Sequence, residues 1–326
     1  MPLDLVDKML NGDHKALARL ITLVERGSQE VPHIMREIHP HLGRAYYVGI
    51  TGPPGAGKST LVDRLTALIR SRGQTVGIIG ADPSSPFTGG AVLGDRIRMQ
   101  QHFLDEGVFI RSMATRGSHG GLPRSALAVA KLMDAAGKDF VLVETIGVGQ
   151  TELDIVETAD TTVVVLVPEA GDSVQTMKAG LIEIADIFVV NKADREGAAN
   201  MVAELFTMVQ LFSGGKWWRP PVLATQAVHN IGVEELLAEI DKHRQALEES
   251  GRLAELRQEH RRLEFLHLVG QRVTDRLAEL MHGDGQLAAY LQQVESGELD
   301  PHSAAQQILE NKALVEGWLK SLKGRE

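Results

Sequence analysis

The chain has 326 residues, 43% of them hydrophobic and 4% aromatic, a net charge of −9 and no cysteine. That length suits one large domain with appendages, or two domains of ~100–200 residues each. The acidic balance excludes a chain-wide basic footprint for nucleic acid, and the lack of cysteine excludes disulfides, thiolate nucleophiles and cysteine-ligated zinc.

No apolar run reaches the ~18 residues that a membrane-spanning helix needs. The start, MPLDLVDKML, reads as neither a signal nor a transit peptide. Together with the absent cysteines this is compatible with a cytoplasmic protein. The histidine pair in HPH, His39 and His41, sits beside a proline and reads as a surface turn.

Residues 1–43 read as a helical extension. In LNGDHKALARLITLVERG, Leu17, Leu20, Ile21 and Val24 recur at the spacing of one helix face. Asn11 or Asp13 can cap that helix and Gly27 can end it. From 44 to 246 the rhythm changes. Strand-like AYYVGI, TVGIIGA and VFIRSM each precede a helical stretch: LVDRLTALIRS, LGDRIRMQQHFL and PRSALAVAKLMDAAG. FVLVET, TTVVVLV, DIFVV and PVLAT follow. Strands alternating with helices predict an α/β fold with a doubly wound, mainly parallel sheet. Its core is mostly aliphatic, as expected of strands buried on both faces.

Residues 247–326 carry no strand signal. RLAELRQEHRRLEFLHLVGQRVTDRLAELM predicts one long amphipathic helix, with Leu256, Leu263, Leu266, Val269, Val273, Leu277 and Leu280 as its stripe. That stripe can pack on the parent domain or on a second copy, and its length favours a dimer arm. Asp300 and Pro301 open a further helix as cap and first residue.

The stretch GITGPPGAGKST fits G-x-x-x-x-G-K-[ST] through Gly52, Gly57, Lys58 and Ser59, between a strand and a helix. Glycines let backbone curl around phosphate oxygens. The amides of Gly55, Ala56, Gly57, Lys58, Ser59 and Thr60 then point inward, and the helix N-terminus adds a positive dipole. Lys58 reaches the β- and γ-phosphates, and the Ser59 hydroxyl ligates Mg²⁺.

The run DIFVVNKAD ends a predicted strand on Asn191, Lys192 and Asp194. It resembles the N-K-x-D motif of GTPases. A carboxylate accepts two hydrogen bonds, which matches guanine N1–H and its 2-amino group and mismatches adenine; such sites reject the wrong pattern by roughly 10⁴–10⁵. In LATQAVHNIG, Gln226 and Ala227 stand where GTPases often carry Ser-Ala and offer a backbone donor to the guanine oxygen.

Acidic residues follow predicted strands at Asp82 and Glu144, and Asp95 lies in the loop TGGAVLGDR. Carboxylates at the C-terminal edge of a parallel sheet face the ligand crevice, where they can hold Mg²⁺ or order a water. Glu144-Thr145-Ile146-Gly147 stands where most GTPases carry D-x-x-G, so the Gly147 amide can meet a γ-phosphate. PSSPFTGGAVLGD, GVGQTE and PEAGDSVQTMKAG are rich in Gly, Pro and Ser, and such loops can switch with the γ-phosphate. Gln150 and Lys178 lie in them. Arg96, Arg98 and Arg124 can neutralise phosphate charge or make exposed salt bridges.

These motifs together resemble one family, the methylmalonyl-CoA mutase-associated GTPases of MeaB/ArgK type, over about residues 11–250. The resemblance implies a GTPase of slow intrinsic rate that binds GTP or GDP with Mg²⁺. It implies homodimers through the C-terminal helices. It also implies a client, an adenosylcobalamin-dependent acyl-CoA mutase, with methylmalonyl-CoA mutase first in line, whose cofactor loading the GTPase gates and protects. On that basis Lys58, Asp82, Asp95, Glu144 and Lys178 serve catalysis, and Ser59, Asp82, Asp95 and Glu144 serve the metal. The segments ADPSS to LGD, VETIGVGQTE and PEAGDSVQTMKAG would be three switches, the third engaging the mutase. Related GTPases insert nickel and usually carry Cys/His motifs, which are missing here. A P-loop small-molecule kinase and a non-catalytic scaffold are the other readings.

Overall fold

A computed structural model of the chain describes residues 2–82, 99–114, 122, 125–145, 155–168, 183–212, 214–215, 217–282 and 285–322. It divides into two units, Met1–Arg257 and Gln258–Glu326. The first holds β1 (Tyr46–Thr51), β2 (Val76–Asp82), β3 (Val108–Ala114), β4 (Phe140–Glu144), β5 (Thr161–Leu166), β6 (Ile187–Asn191) and β7 (Val222–Thr225). All seven fall on the strand-like runs named above. They form one sheet in the order β3-β2-β4-β1-β5-β6-β7, parallel at every pairing.

Parallel strands need crossovers, and the crossovers cover both faces. Three helices precede the sheet: α1 (Pro2–Leu10), α2 (His14–Glu25) and α3 (Val31–Ile38). Then come α4 (Lys58–Ser71), α5 (Ala126–Ala135), α6 (Ala198–Phe212), α7 (Val233–Glu249) and the long α8 (Arg252–Met281). Successive strand residues enter opposite cores. Ile78, Val163 and Val165 pack with Leu61 and Leu65 of α4 and with Leu236 and Ile240 of α7. Ile79, Val141 and Val143 meet Leu17, Leu20 and Ile21 of α2 and Val129 and Met133 of α5. Val164 and Leu166 pack with Leu205 and Val209 of α6.

Local signals are met where they were strong. Asp13 caps α2, accepting from the amides of Lys15 at 2.7 Å and Ala16 at 3.2 Å. In the second unit, α9 (Gln286–Ser296), α10 (Pro301–Glu310) and α11 (Lys312–Leu322) follow, with Asp300 capping α10 through the amides of His302 and Ser303. Of the helix predicted over 93–104, residues 93–98 lie outside the described residues. Its described part, 99–104, holds a short 3₁₀ turn at Gln100–His102, because the chain bends there to enter β3. The helices α6 and α7 were not anticipated; α6 is apolar on most sides and shows no clear period.

Two buried polar groups hold the amino edge of the sheet. The Asp134 carboxylate, on α5, accepts from the amides of Gly43, Arg44 and Ala45 at 2.7, 3.1 and 2.8 Å and from the Tyr47 hydroxyl at 3.2 Å. Arg257 grips Asp160 through two hydrogen bonds of 2.9 and 2.7 Å. Nearby on α7, the buried His243 ring meets Thr161 Oγ1 at 2.8 Å and lies against Trp218 with ring centres 4.7 Å apart.

Burial holds the His243 imidazole neutral, down from 6.5 to about 4. The unfolded chain therefore binds a proton there more readily than the fold does. Stability contributed by this group is full above pH 6.5 and is lost as pH falls towards 4, with a slope of at most ~1.4 kcal/mol per pH unit. Denaturant midpoints measured between pH 7 and 4 should fall less steeply for His243→Gln than for the wild-type chain.

Candidate functional site

The loop after β1 must turn back tightly enough to start α4 at Lys58. Two glycines permit it. Gly52 has φ +141° and a side chain there would strike the Val165 carbonyl; Gly57 has φ +87° and a side chain would strike the Asn191 amide. Gly55 and Ala56 lie between them, Gly55 at φ +76° and Ala56 buried. Lys58, Ser59 and Thr60 form the first turn of α4, whose dipole favours an anion at this end. Lys58 is 6% exposed, and its ammonium donates to the carbonyls of Gly52 at 2.8 Å and Pro53 at 3.1 Å.

Other strand ends reach the same loop. Glu144 closes β4, and Ser59 Oγ donates to its Oε1 at 2.7 Å, with both residues buried. Thr51 and Thr145 join their hydroxyls at 2.9 Å, which locks the ends of β1 and β4 together. Asp82 ends β2, two residues past the register pair of Gly80 and Glu144. The buried oxygens of Ser59 and Glu144 suit a hard divalent cation. Asp95, Gly147, Gln150, Lys178, Arg96, Arg98 and Arg124 lie outside the described residues.

Asn191 closes β6 and makes three bonds. Its Nδ2 donates to the Ala56 carbonyl at 2.8 Å, while its Oδ1 accepts from Thr225 Oγ1 and the Ala227 amide, both at 3.1 Å. A single buried amide thus ties the phosphate loop to the segment after β7. Lys192 sits at φ +57°, uncommon for a residue with a side chain. That left-handed step turns the chain so that the Ala193 amide bonds the Thr225 carbonyl at 3.0 Å and Asp194 stands exposed. Gln226 pairs with Ile231 across a tight loop, and Ala227 is buried. The structure thus brings Gly55 to Thr60, Glu144, Asn191 and Ala227 into one bonded cluster. Thr51, Thr145 and Thr225 complete it and were not anticipated; no spacing rule marks a lone threonine at a strand end.

Gly57→Ala adds both a left-handed strain of ~1–2 kcal/mol and a collision with Asn191. Nucleotide titration should show at least ~10-fold weaker binding, equal to 1.4 kcal/mol, with the circular dichroism spectrum unchanged.

A model of the family described as methylmalonyl Co-A mutase-associated GTPase MeaB matches residues 17–282. Among relatives, a protein of Pyrococcus abyssi named as a GTPase is 52% identical over 320 residues, 97% of this chain and 98% of its own length. GTPase ArgK of Escherichia coli is 35% identical, covering 78% of this chain and 79% of its own. The mouse methylmalonic aciduria type A homolog is 30% identical over 92% of this chain and 77% of its own. A solved structure described as a LAO/AO transport system kinase superposes with a TM-score of 0.70 at 26% identity, over 95% of this chain and 96% of that one. With its seven parallel strands and glycine-rich loop leading into a buried lysine and serine, the chain belongs to the MeaB family of P-loop GTPases.

Proposed function

We propose that this GTPase serves an adenosylcobalamin-dependent acyl-CoA mutase, with methylmalonyl-CoA mutase the leading candidate, by gating and protecting its cofactor. The family match over residues 17–282 carries this reading, through the mutase association in the family's description. The name of the mouse relative, which refers to methylmalonic aciduria, supports it.

In this reading the amides of Gly55 to Thr60 cradle the phosphates and Lys58 stabilises charge on the β- and γ-groups. Ser59 and Glu144 hold Mg²⁺, with Asp82 and Asp95 adding oxygen donors; the buried Ser59–Glu144 pair at 2.7 Å fits such a hard cation. Bound Mg²⁺ supplies neutralisation of phosphate charge. Glu144 also orients water at the γ-phosphate, beside Gly147. Asp194 reads guanine, Lys192 flanks it and Asn191 fixes the loop beneath. Gln226 and Ala227 border the base. Lys178 belongs to the segment that meets the mutase.

The helical arm from 247 to 326 serves as a homodimer contact. α8 exposes Phe265, Leu266, Leu268 and Val269 within little more than one turn, an apolar surface suited to a second copy. Among the described residues no helix is long and apolar enough to cross a membrane, and the reading places the protein in the cytoplasm with its client. A kinase reading draws on the description of the solved relative; transfer of the γ-phosphate to an added metabolite faster than phosphate release would favour it.

Native mass spectrometry with a purified adenosylcobalamin-dependent mutase, in GDP and in a non-hydrolysable GTP analogue, tests the proposal. A complex in at least one nucleotide state is expected. No complex in any state would overturn it.

A further inference from the structure

One face of α4 carries polar residues where a buried helix would be expected to carry apolar ones. Ser59, Asp63 and Arg70 stand at i, i+4 and i+11, on one side of the helix. Each bonds a different part of the chain. Ser59 donates to Glu144 at 2.7 Å, and Arg70 holds Asp105 through two bonds of 2.9 Å. Asp63 lies between them, one turn below Ser59, and is 7% exposed.

A carboxylate so buried is costly unless it is bonded. Gln101 Nε2 donates to Asp63 Oδ2 at 2.8 Å. His102, itself 6% exposed, brings Nε2 within 3.2 Å of the Asp63 carbonyl and 3.3 Å of Oδ1. Gln101 Nε2 lies 3.4 Å from the same ring nitrogen, so the three side chains close one contact cluster. Met99, buried in the core beneath α4, pins the segment upstream of this pair. The same bonds hold the short turn at Gln100–His102.

We infer that Asp63, Gln101 and His102 form a positioning site for GTP hydrolysis. They staple the chain entering β3 to the helix whose first turn presents Lys58 and Ser59. The staple therefore sets where the strand-entry segment sits relative to the phosphate end of α4. Residues 52–57 and Asn191, which set the loop's own shape, take no part in these three side chains' bonds given above. Loss of the staple should therefore slow the chemical step and leave nucleotide affinity alone.

Steady-state kinetics and GDP titration on full-length variants test this. A misplacement of about 1 Å can cost on the order of 100-fold in rate, so His102→Ala and Asp63→Asn should each lower kcat at least ~10-fold, with KM for GTP and Kd for GDP within ~3-fold of wild type. Asp63→Asn replaces one acceptor by a donor facing His102 or Gln101. His102→Gln keeps a nitrogen donor on a similar reach and should recover kcat to within ~3-fold of wild type, a rescue expected where one hydrogen bond is the whole effect. Wild-type turnover in the same assay carries the GTPase reading, and the variants carry this one. The inference is overturned if kcat is unchanged in His102→Ala and Asp63→Asn. It is equally overturned if their loss appears as weaker GDP binding, or if His102→Gln is as slow as His102→Ala.

Discussion

All seven strands run in one direction, so their carboxyl ends gather along a single edge. β1 lies at the centre, between β4 and β5, and its exit loop needs partners on both sides. Glu144 arrives from β4 on one side and Asn191 from β6 on the other. Neither residue is near the loop in sequence; the shared strand direction alone makes them neighbours. A mixed sheet would send some of these ends to the opposite edge, and the cluster would not form.

The two edges use buried polarity differently. At the amino edge, Asp134 and the Arg257–Asp160 pair bind backbone and each other, and their distances describe a fixed joint. At the carboxyl edge, Lys58 and Glu144 are as deeply buried but sit at the mouth of a helix N-terminus. There Lys58 bonds the loop's own carbonyls and Glu144 bonds Ser59, at the end where the helix dipole favours an anion. The helix α4 links this edge to the rest, since its polar face carries Ser59 at the top and Arg70 at the bottom.

How far the sequence reveals this depends on distance along the chain. Strands were legible because burial on both faces forces unbroken apolar runs such as TTVVVLV. The cap at Asp13 and the extent of α8 were legible because those signals are local. The phosphate loop was legible because its glycines answer to local backbone geometry. By contrast, the Asn191 bond to Ala56 spans 135 residues, and the Asp63 bond to Gln101 spans 38. Their partners carry no spacing signature. In the described part of the helix predicted over 93–104, Gln101 and His102 bond Asp63, a partner 38 and 39 residues away that their own turn does not announce.

The central claim is that Ser59 and Glu144 hold the cation of a bound nucleotide triphosphate. Calorimetric titration of a GTP analogue at graded Mg²⁺ concentrations measures it most directly, in the wild-type chain and in Ser59→Ala. The account predicts that affinity rises with Mg²⁺ in the wild type and becomes insensitive to Mg²⁺ in Ser59→Ala, whose affinity without the metal is unchanged. An equal Mg²⁺ dependence in both proteins would contradict it.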